Sequence, residues 1–269
     1  MSNFTFLITT IKKDKSSILD MLARHNIKGR IIVGNQLVST DSVEEVKTDD
    51  SKITIINQTR GGVSANRNIL LKESTTDYIS FLDDDVLAHP NFYNYIDTLD
   101  SFFTKRVVAV RFNIKKVYDD LNQFKQITKR KRLNFHFLSR YSINGIIYDR
   151  KFLEKNNISF NEKIGPGNYY NHGEDGLFSH DVLKKGDIIQ LPDLCFCVEE
   201  SCSTWYSNRD YERELISHGY IYHFLYKGFA VFRAFLFVLL HKKHFPRELK
   251  FNQKFKWMRE GIRKAKNDV

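Results

Sequence analysis

The feature that most constrains this chain lies in its first 82 residues, where short, nearly all-apolar runs alternate with longer segments of helical periodicity. "FTFLIT" from Phe4, "RIIVG" from Arg30, "KITIIN" from Lys52 and "DYISFL" from Asp77 read as strands. "KSSILDMLARHN" from Lys15, with Ile18, Leu19 and Leu22 on one face, and "SANRNILLKES" from Ser64 read as helices. Strands that lack a polar alternation are buried on both faces, and the intervening helices supply the cover. The pattern therefore specifies an α/β fold built on a sheet with helices on both faces. With 269 residues, 42% of them hydrophobic and 14% aromatic, the chain has core enough for one large domain or a domain with an appendage.

Ligands of open α/β sheets bind beyond the carboxyl ends of the strands. The segment "YISFLDDDVLAHP" puts Asp83, Asp84 and Asp85 at such an end. A single Asp there would terminate the strand or cap a helix. Three in succession repel one another and call for a cation. A hard divalent ion with oxygen ligands suits them, and a phosphate-bearing substrate would complete its shell.

The middle of the chain is less regular. "VVAVRFNI" from Val107 reads as a strand, and "YSINGIIYDRKFLEKNNISFNE" from Tyr141 as a strand followed by a short helix. Between them, Lys129, Arg130, Lys131 and Arg132 read as a solvated helix face. Then "GPGNYYNHGEDGLFSHDVLKKGDIIQLPD" from Gly165 carries a Gly/Asn-rich loop, the acids Glu174 and Asp175, a helix ending at Gly186 and the strand "DIIQL". Acids at a helix entrance gain from the free backbone N–H groups and the helix dipole. A glycine-rich loop leading into them also suits the wall of a pocket, so cap and catalyst are compatible.

"GGVSANRNILLKESTTDYISFLDDDV" and "GEDGLFSHDVLKKGDIIQLPD", with "FLITTIKKDK" before them, resemble glycosyltransferase family 2 and its GT-A fold. Each motif is weak alone, but their order and spacing over the first three quarters of the chain make the combination specific. The resemblance implies a Rossmann-like mixed sheet with helices on both faces. It places the GT-A catalytic domain at residues 1–215 and a basic, amphipathic helical extension at 216–269. It further implies an inverting transfer from a nucleotide-sugar, a UDP-sugar by preference, to an acceptor hydroxyl. Asp83 and Asp85 match the Asp-x-Asp, with Asp84 between them; Asp83 and chiefly Asp85 would hold Mn²⁺ or Mg²⁺ against the diphosphate. Arg67 and Asn68 match a pair near the nucleotide, and Thr9 and Thr10 lie beside the base. Asp175 would be the general base, with Glu174 orienting the acceptor. Relatives of this kind build bacterial capsule, exopolysaccharide or O-antigen units on lipid-linked saccharide acceptors.

Two departures stand out. After the second strand, where the family usually carries acids, this chain has Asn35 and Gln36. Downstream of "LPD", where many members carry a histidine metal ligand, it has "CFCVEESCSTW", which leaves Glu199 or Glu200 as substitutes. His172, beside Gly173 and Glu174, is the one histidine placed near the acids, although a loop role suits it better. Cys195, Cys197 and Cys202 lack zinc-site spacing and read as free thiols of a reducing cytoplasm. The start, "MSNFTFLITTIKKDK", lacks a secretory pattern, so the expected location is the cytoplasm.

The net charge of +10 is concentrated at the end: from Lys242 onward there are ten Lys/Arg against three Asp/Glu. Before it, "YIYHFLYKGFAVFRAFLFVLLHKKHF" from Tyr220 is the most apolar stretch, interrupted by Lys227 and Arg233. It reads either as a core helix or as an interfacial helix whose flanking lysines meet an anionic membrane on the cytoplasmic side. A nucleic-acid partner is not expected, because no reader motif or stacking platform accompanies the basic runs. A pyrophosphorylase would need a glycine-rich phosphate loop where "TTIKKDK" stands. A module that kept the fold and lost the chemistry would not need Asp83, Asp85 and Asp175 together. Oligomerisation is left open by the sequence.

Overall fold

A computed structural model describes residues 3–37, 44–47, 50–59, 61–116, 130–133, 143–199 and 210–268. The elements run β1 (Phe4–Ile11), α1 (Lys15–Arg24), β2 (Arg30–Gln36), β3 (Glu44–Lys47), β4 (Ile53–Gln58), α2 (Val63–Glu73), β5 (Tyr78–Asp83), β6 (Val86–Ala88), β7 (Val107–Lys116), β8 (Lys131–Arg132), β9 (Ile146–Asp149), α3 (Arg150–Lys155), α4 (Glu174–Leu183) and β10 (Asp187–Glu199). Three C-terminal helices follow: α5 (Tyr211–Tyr226), α6 (Ala230–Leu240) and α7 (Phe251–Asn267).

Among the described residues the strands form one sheet in the order β3-β4-β2-β1-β5-β9-β7-β10-β6, with β8 paired to β10. The β4-β2-β1-β5 block is parallel, as the apolar runs require. The chain winds outward from β1 through β2 to β4, then crosses back to lay β5 on the other side of β1. That reversal opens a crevice at the carboxyl ends of β1 and β5. Side chains alternate across the sheet. Phe4, Phe6 and Ile8 meet Ile18, Met21 and Leu22 of α1 on one face. Leu7, Ile32 and Phe81 meet Leu70, Leu153, Phe178 and Val182 of α2, α3 and α4 on the other.

The mixed sheet with helices on both faces is as expected, and one local reading changes. The basic run is not a helix face: Lys131 and Arg132 form β8, antiparallel to β10, and Arg132 Nη2 reaches Asp187 Oδ1 at 2.6 Å. The exposed edge of β10 and the carboxylate of Asp187 supply the partners that pull this segment into a strand; Lys129 lies outside the described residues. The 215/216 boundary lies within α5, whose N-cap is Asp210.

That unit has its own core. Leu215, Ile216 and Tyr220 of α5 pack with Ala234 and Val238 of α6 and with Trp257, Met258 and Ile262 of α7. Ile164, Tyr170 and Leu177 of the catalytic region join the same cluster, and the ring of Tyr170 stacks on Tyr220 with centroids 3.7 Å apart. Two glycines let α5 and α7 cross backbone against backbone. A Cβ on Gly219 would lie 2.0 Å from the Met258 carbonyl oxygen, and one on Gly261 would lie 2.0 Å from that of Ile216.

Candidate active site

The aspartate triplet does not act as one cluster. Asp83 ends β5 and Asp84 and Asp85 form the following turn, so consecutive carboxylates diverge. Asp83 Oδ1 accepts from Arg67 Nη2 at 2.8 Å, and its Oδ2 accepts from Asn144 Nδ2 at 3.0 Å. Asp84 Oδ2 accepts from the Thr10 hydroxyl and from Lys13 Nζ, the latter at 3.0 Å. Protein cations thus neutralise Asp83 and Asp84, a part of the charge balance that the aspartate run alone suggests a metal would supply. Asp85 leads into β6, next to which Glu199 of β10 lies opposite Val86.

Arg67 is the centre of the arrangement. It projects from α2 with only 2% of its side chain exposed and donates from Nη1 to Asp175 Oδ1 at 2.6 Å. Glu174 Oε1 lies 3.6 Å from the same nitrogen, and the guanidinium carbon sits 5.4 Å from the centre of the Phe160 ring. Burial by itself would lower the Arg67 pKa, but Asp175, Asp83 and Glu174 outweigh it and raise the pKa, so the guanidinium stays charged. Removing a partner from such a buried ion network costs about 3–5 kcal/mol, because a charge is left uncompensated.

Glu174 and Asp175 occupy the first turn of α4, where the helix dipole favours negative charge. Their positions are fixed from two sides. Asp175 Oδ2 accepts from the Ile143 backbone N–H at 3.0 Å. The loop before α4 is tied to the start of α2: Ser64 Oγ donates to Ile164 O at 2.6 Å and Val63 N to Pro166 O at 2.9 Å. Gly62 and Gly167 permit this, since a Cβ on Gly167 would lie 2.9 Å from the Gly62 Cα. Glu174 is buried, and that burial, followed by the charge of Asp175, pushes its carboxyl up to about 8. At neutral pH the Glu174 carboxyl is therefore held in its protonated form, in which it can donate a hydrogen bond.

Beside the acids opens a cleft of about 400 Å³ lined by Lys12, Lys13, Lys15, Asn35, Ile55 and Asn57, a size suited to a small-molecule ligand. Lys13 belongs both to this cleft and to the Asp84 pair, so the two regions are continuous. Asn35 explains the first departure from the family pattern. Its Nδ2 donates to Lys13 O at 2.7 Å and to Asn57 Oδ1 at 2.8 Å, while its Oδ1 accepts from Lys13 N at 3.1 Å. A carboxylate has no N–H to give to those two oxygens, so the turn after β1 in this chain needs an amide. Gln36 contributes its backbone carbonyl, which accepts from Lys12 N at 3.0 Å.

Of the residues expected at the site, the structure gathers Thr9, Thr10, Arg67, Asp83, Asp84, Glu174 and Asp175, with Thr9 in register beside Asp83. Asn68 is not among them. Its side chain clamps the 160–162 segment, accepting from Phe160 N at 2.8 Å and donating to Phe160 O at 3.0 Å and Glu162 Oε1 at 3.1 Å. Neighbours on a helix point about 100° apart, so Arg67 and Asn68 cannot both face the acids. His172 is packed instead against α5, its ring 4.5 Å from that of His218, and burial lowers its pKa to about 4. Glu199 contributes a described backbone position at the end of β10, and Glu200 lies outside the described residues. Among the described residues no group of three His, Cys, Asp or Glu side chains converges as a metal cage. Sequence reasoning missed Lys12, Lys13, Asn57 and Asn144. The two lysines could have been found by the rule that located Asp83, since they follow directly on β1; Asn144 carries no local signal.

Comparison with known proteins agrees with this fold. The crystal structure of S. aureus TarS 1-349 superposes with a TM-score of 0.57 at 15% identity, covering 97% of this chain and 70% of that one. The same fragment in complex with UDP-GlcNAc gives 0.58 at 15% identity, covering 97% and 71%. The longer TarS structure gives 0.55 at 16% identity, covering 97% and 43%. At such identities the likeness concerns the fold. No curated protein sequence matches the chain. Residues 30–185, more than half of the chain and the span holding Arg67, the aspartate triplet and Asp175, match the family described as Glycosyl transferase family 2, and the chain belongs to that family of glycosyltransferases.

Proposed function

We propose that the protein transfers a sugar from a nucleoside diphosphate sugar to a hydroxyl of a saccharide acceptor, with inversion, in the synthesis of a cell-surface polysaccharide. The observation that carries this reading is the buried Arg67, which ties Asp83 at the end of β5 to Asp175 at the start of α4. Two carboxylates from distant parts of the chain are thereby held on the two ends of one guanidinium. UDP-GlcNAc bound to the structurally similar TarS supports a UDP-sugar as donor.

In this reading Lys12 and Lys13 attract the diphosphate into the cleft, and Asn35 and Asn57 shape the end that receives the base. Asp175 accepts the proton of the acceptor hydroxyl as that oxygen attacks the anomeric carbon from the face opposite the leaving group. Its Oδ2 is steadied by the Ile143 N–H, which leaves a second lone pair for the incoming proton. The neutral Glu174 carboxyl beside it donates a hydrogen bond that positions the acceptor. Arg67 orients Asp175 through the 2.6 Å contact from its Nη1.

Asp85, with the remaining lone pairs of Asp83, would hold Mn²⁺ or Mg²⁺. An ion that takes one or two carboxylates and completes its shell from phosphates and water would suit these acids. Such an ion supplies electrostatic stabilisation of the departing diphosphate. A lipid-linked saccharide is the proposed acceptor.

Asp175→Asn tests the assignment. Nucleotide-sugar binding measured by calorimetry, with and without Mn²⁺, is expected to persist within about threefold, whereas transfer falls by about 10²–10⁴-fold, the usual contribution of a general base. Turnover comparable to the unaltered enzyme would remove Asp175 from that role.

A further inference from the structure

Six large apolar side chains lie exposed within twelve residues of α6 and its approach: Phe229 (74%), Val231, Phe232 (59%), Phe235, Leu239 and Leu240 (73%). Only Ala230, Ala234 and Val238 of this helix are buried, a narrow stripe that anchors it to the C-terminal core. Elsewhere among the described residues, only Ile11 and Tyr169 are large apolar side chains of comparable exposure. A contiguous apolar face of this kind marks an interaction surface. We infer that it docks the enzyme on a bilayer containing anionic lipid, with α6 lying in the plane of the interface.

The charges choose the occupant. No Asp or Glu occurs between Glu214 and Glu248, while Lys227, Arg233, Lys242 and Arg247 flank or interrupt the apolar face. A second copy docking through the same face would set cations against cations in either orientation. An anionic lipid surface neutralises them. The geometry also selects lying on the membrane over spanning it. The stretch Tyr211–Leu240 is long and apolar enough to cross a membrane by length and composition. Its α5 half, however, is consumed by the C-terminal core, and the chain breaks at Lys227, where φ is 47°. The remaining eleven residues of α6 span about 16 Å, roughly half of a hydrocarbon core.

The inner side of α6 is joined through α5 to the loop that precedes α4. His218 of α5 contacts His172, two residues before Glu174, at 4.5 Å between ring centres, and contacts Phe237 of α6 at 4.9 Å. The docking does not depend on how the acids are read, because vesicle binding reports α6 and donor hydrolysis reports the acids.

The test is flotation of the full chain with phosphatidylcholine vesicles, with and without phosphatidylglycerol. Binding at least tenfold tighter to the anionic vesicles is expected, weakened by salt. Phe229→Ser/Phe232→Ser/Leu240→Ser is expected to lose more than tenfold while melting and donor hydrolysis stay unchanged, and Lys242→Glu to lose roughly fivefold or more. Phe232→Trp keeps the apolar face and adds a reporter, whose emission should shift to the blue on anionic vesicles and be quenched by brominated acyl chains. Failure of the unaltered chain to float, an unshifted reporter, or a triple variant that floats equally well would each overturn the inference. So would a triple variant that only converts an oligomer to a monomer, which would make the face an interface between copies.

Discussion

At the scale of single residues, the site is governed by one buried cation facing more than one anion. Arg67 contacts Asp83, Asp175 and Glu174, and the chain balances the resulting charge by keeping Glu174 protonated. This has a thermodynamic consequence. The Glu174 carboxyl rises from an ordinary 4.5 to about 8 in the folded protein, so folding favours its protonated form. Its contribution is fully present below 4.5 and is lost as pH rises through 8. Glu174→Gln should flatten that dependence: near pH 5 the variant and the unaltered protein melt alike, and above pH 8 the variant is the more stable. Urea unfolding across this range should show the gap opening by at most about 1.4 kcal/mol per pH unit. A gap that stays constant with pH would show that Glu174 is ionised throughout. Much of this site is legible in the letters, since three adjacent aspartates and a Gly-Glu-Asp before a helix announce carboxylate chemistry. Which cation each acid meets is not legible, because Arg67 and Lys13 reach theirs through tertiary contacts between distant segments.

At the scale of elements, the decisive contacts are close backbone approaches. α5 and α7 cross at Gly219 and Gly261 with no room for a methyl group. Gly219→Ala or Gly261→Ala is therefore expected to push the helices apart and to destabilise the C-terminal unit by about 1–3 kcal/mol, the usual range for overpacking. Thermal melts with a tryptophan readout check this, since Trp257 lies in that core. A variant as stable as the parent would show that the helices part freely. The longer strands and helices follow from periodicity alone. β3, β6 and β8 have four, three and two residues, too short to carry a period, and arise because longer neighbours leave edges to be paired.

At the scale of the whole molecule, the C-terminal helices and the catalytic region share one cluster, through Ile164, Tyr170 and Leu177. Truncation before Phe229 is therefore no clean removal of a tail. It strips Trp257, Met258, Ile262 and Ala265 from α5, and large buried side chains are worth about 2–5 kcal/mol each. The truncated chain is expected to aggregate or to lose cooperative unfolding, as size-exclusion chromatography and denaturant melts would reveal; a soluble, cooperative product would show that the catalytic region stands alone. The sequence by itself determined the α/β class, the parallel block and the clustering of acids at strand and helix ends, because hydrophobic period and local chain chemistry act over a few residues. Only the tertiary structure decided that Asn68 is a clamp, that Asn35 builds a turn, and that α6 alone of the apolar tail faces outward. Those outcomes depend on which surfaces meet after the chain has folded, and no local pattern records that.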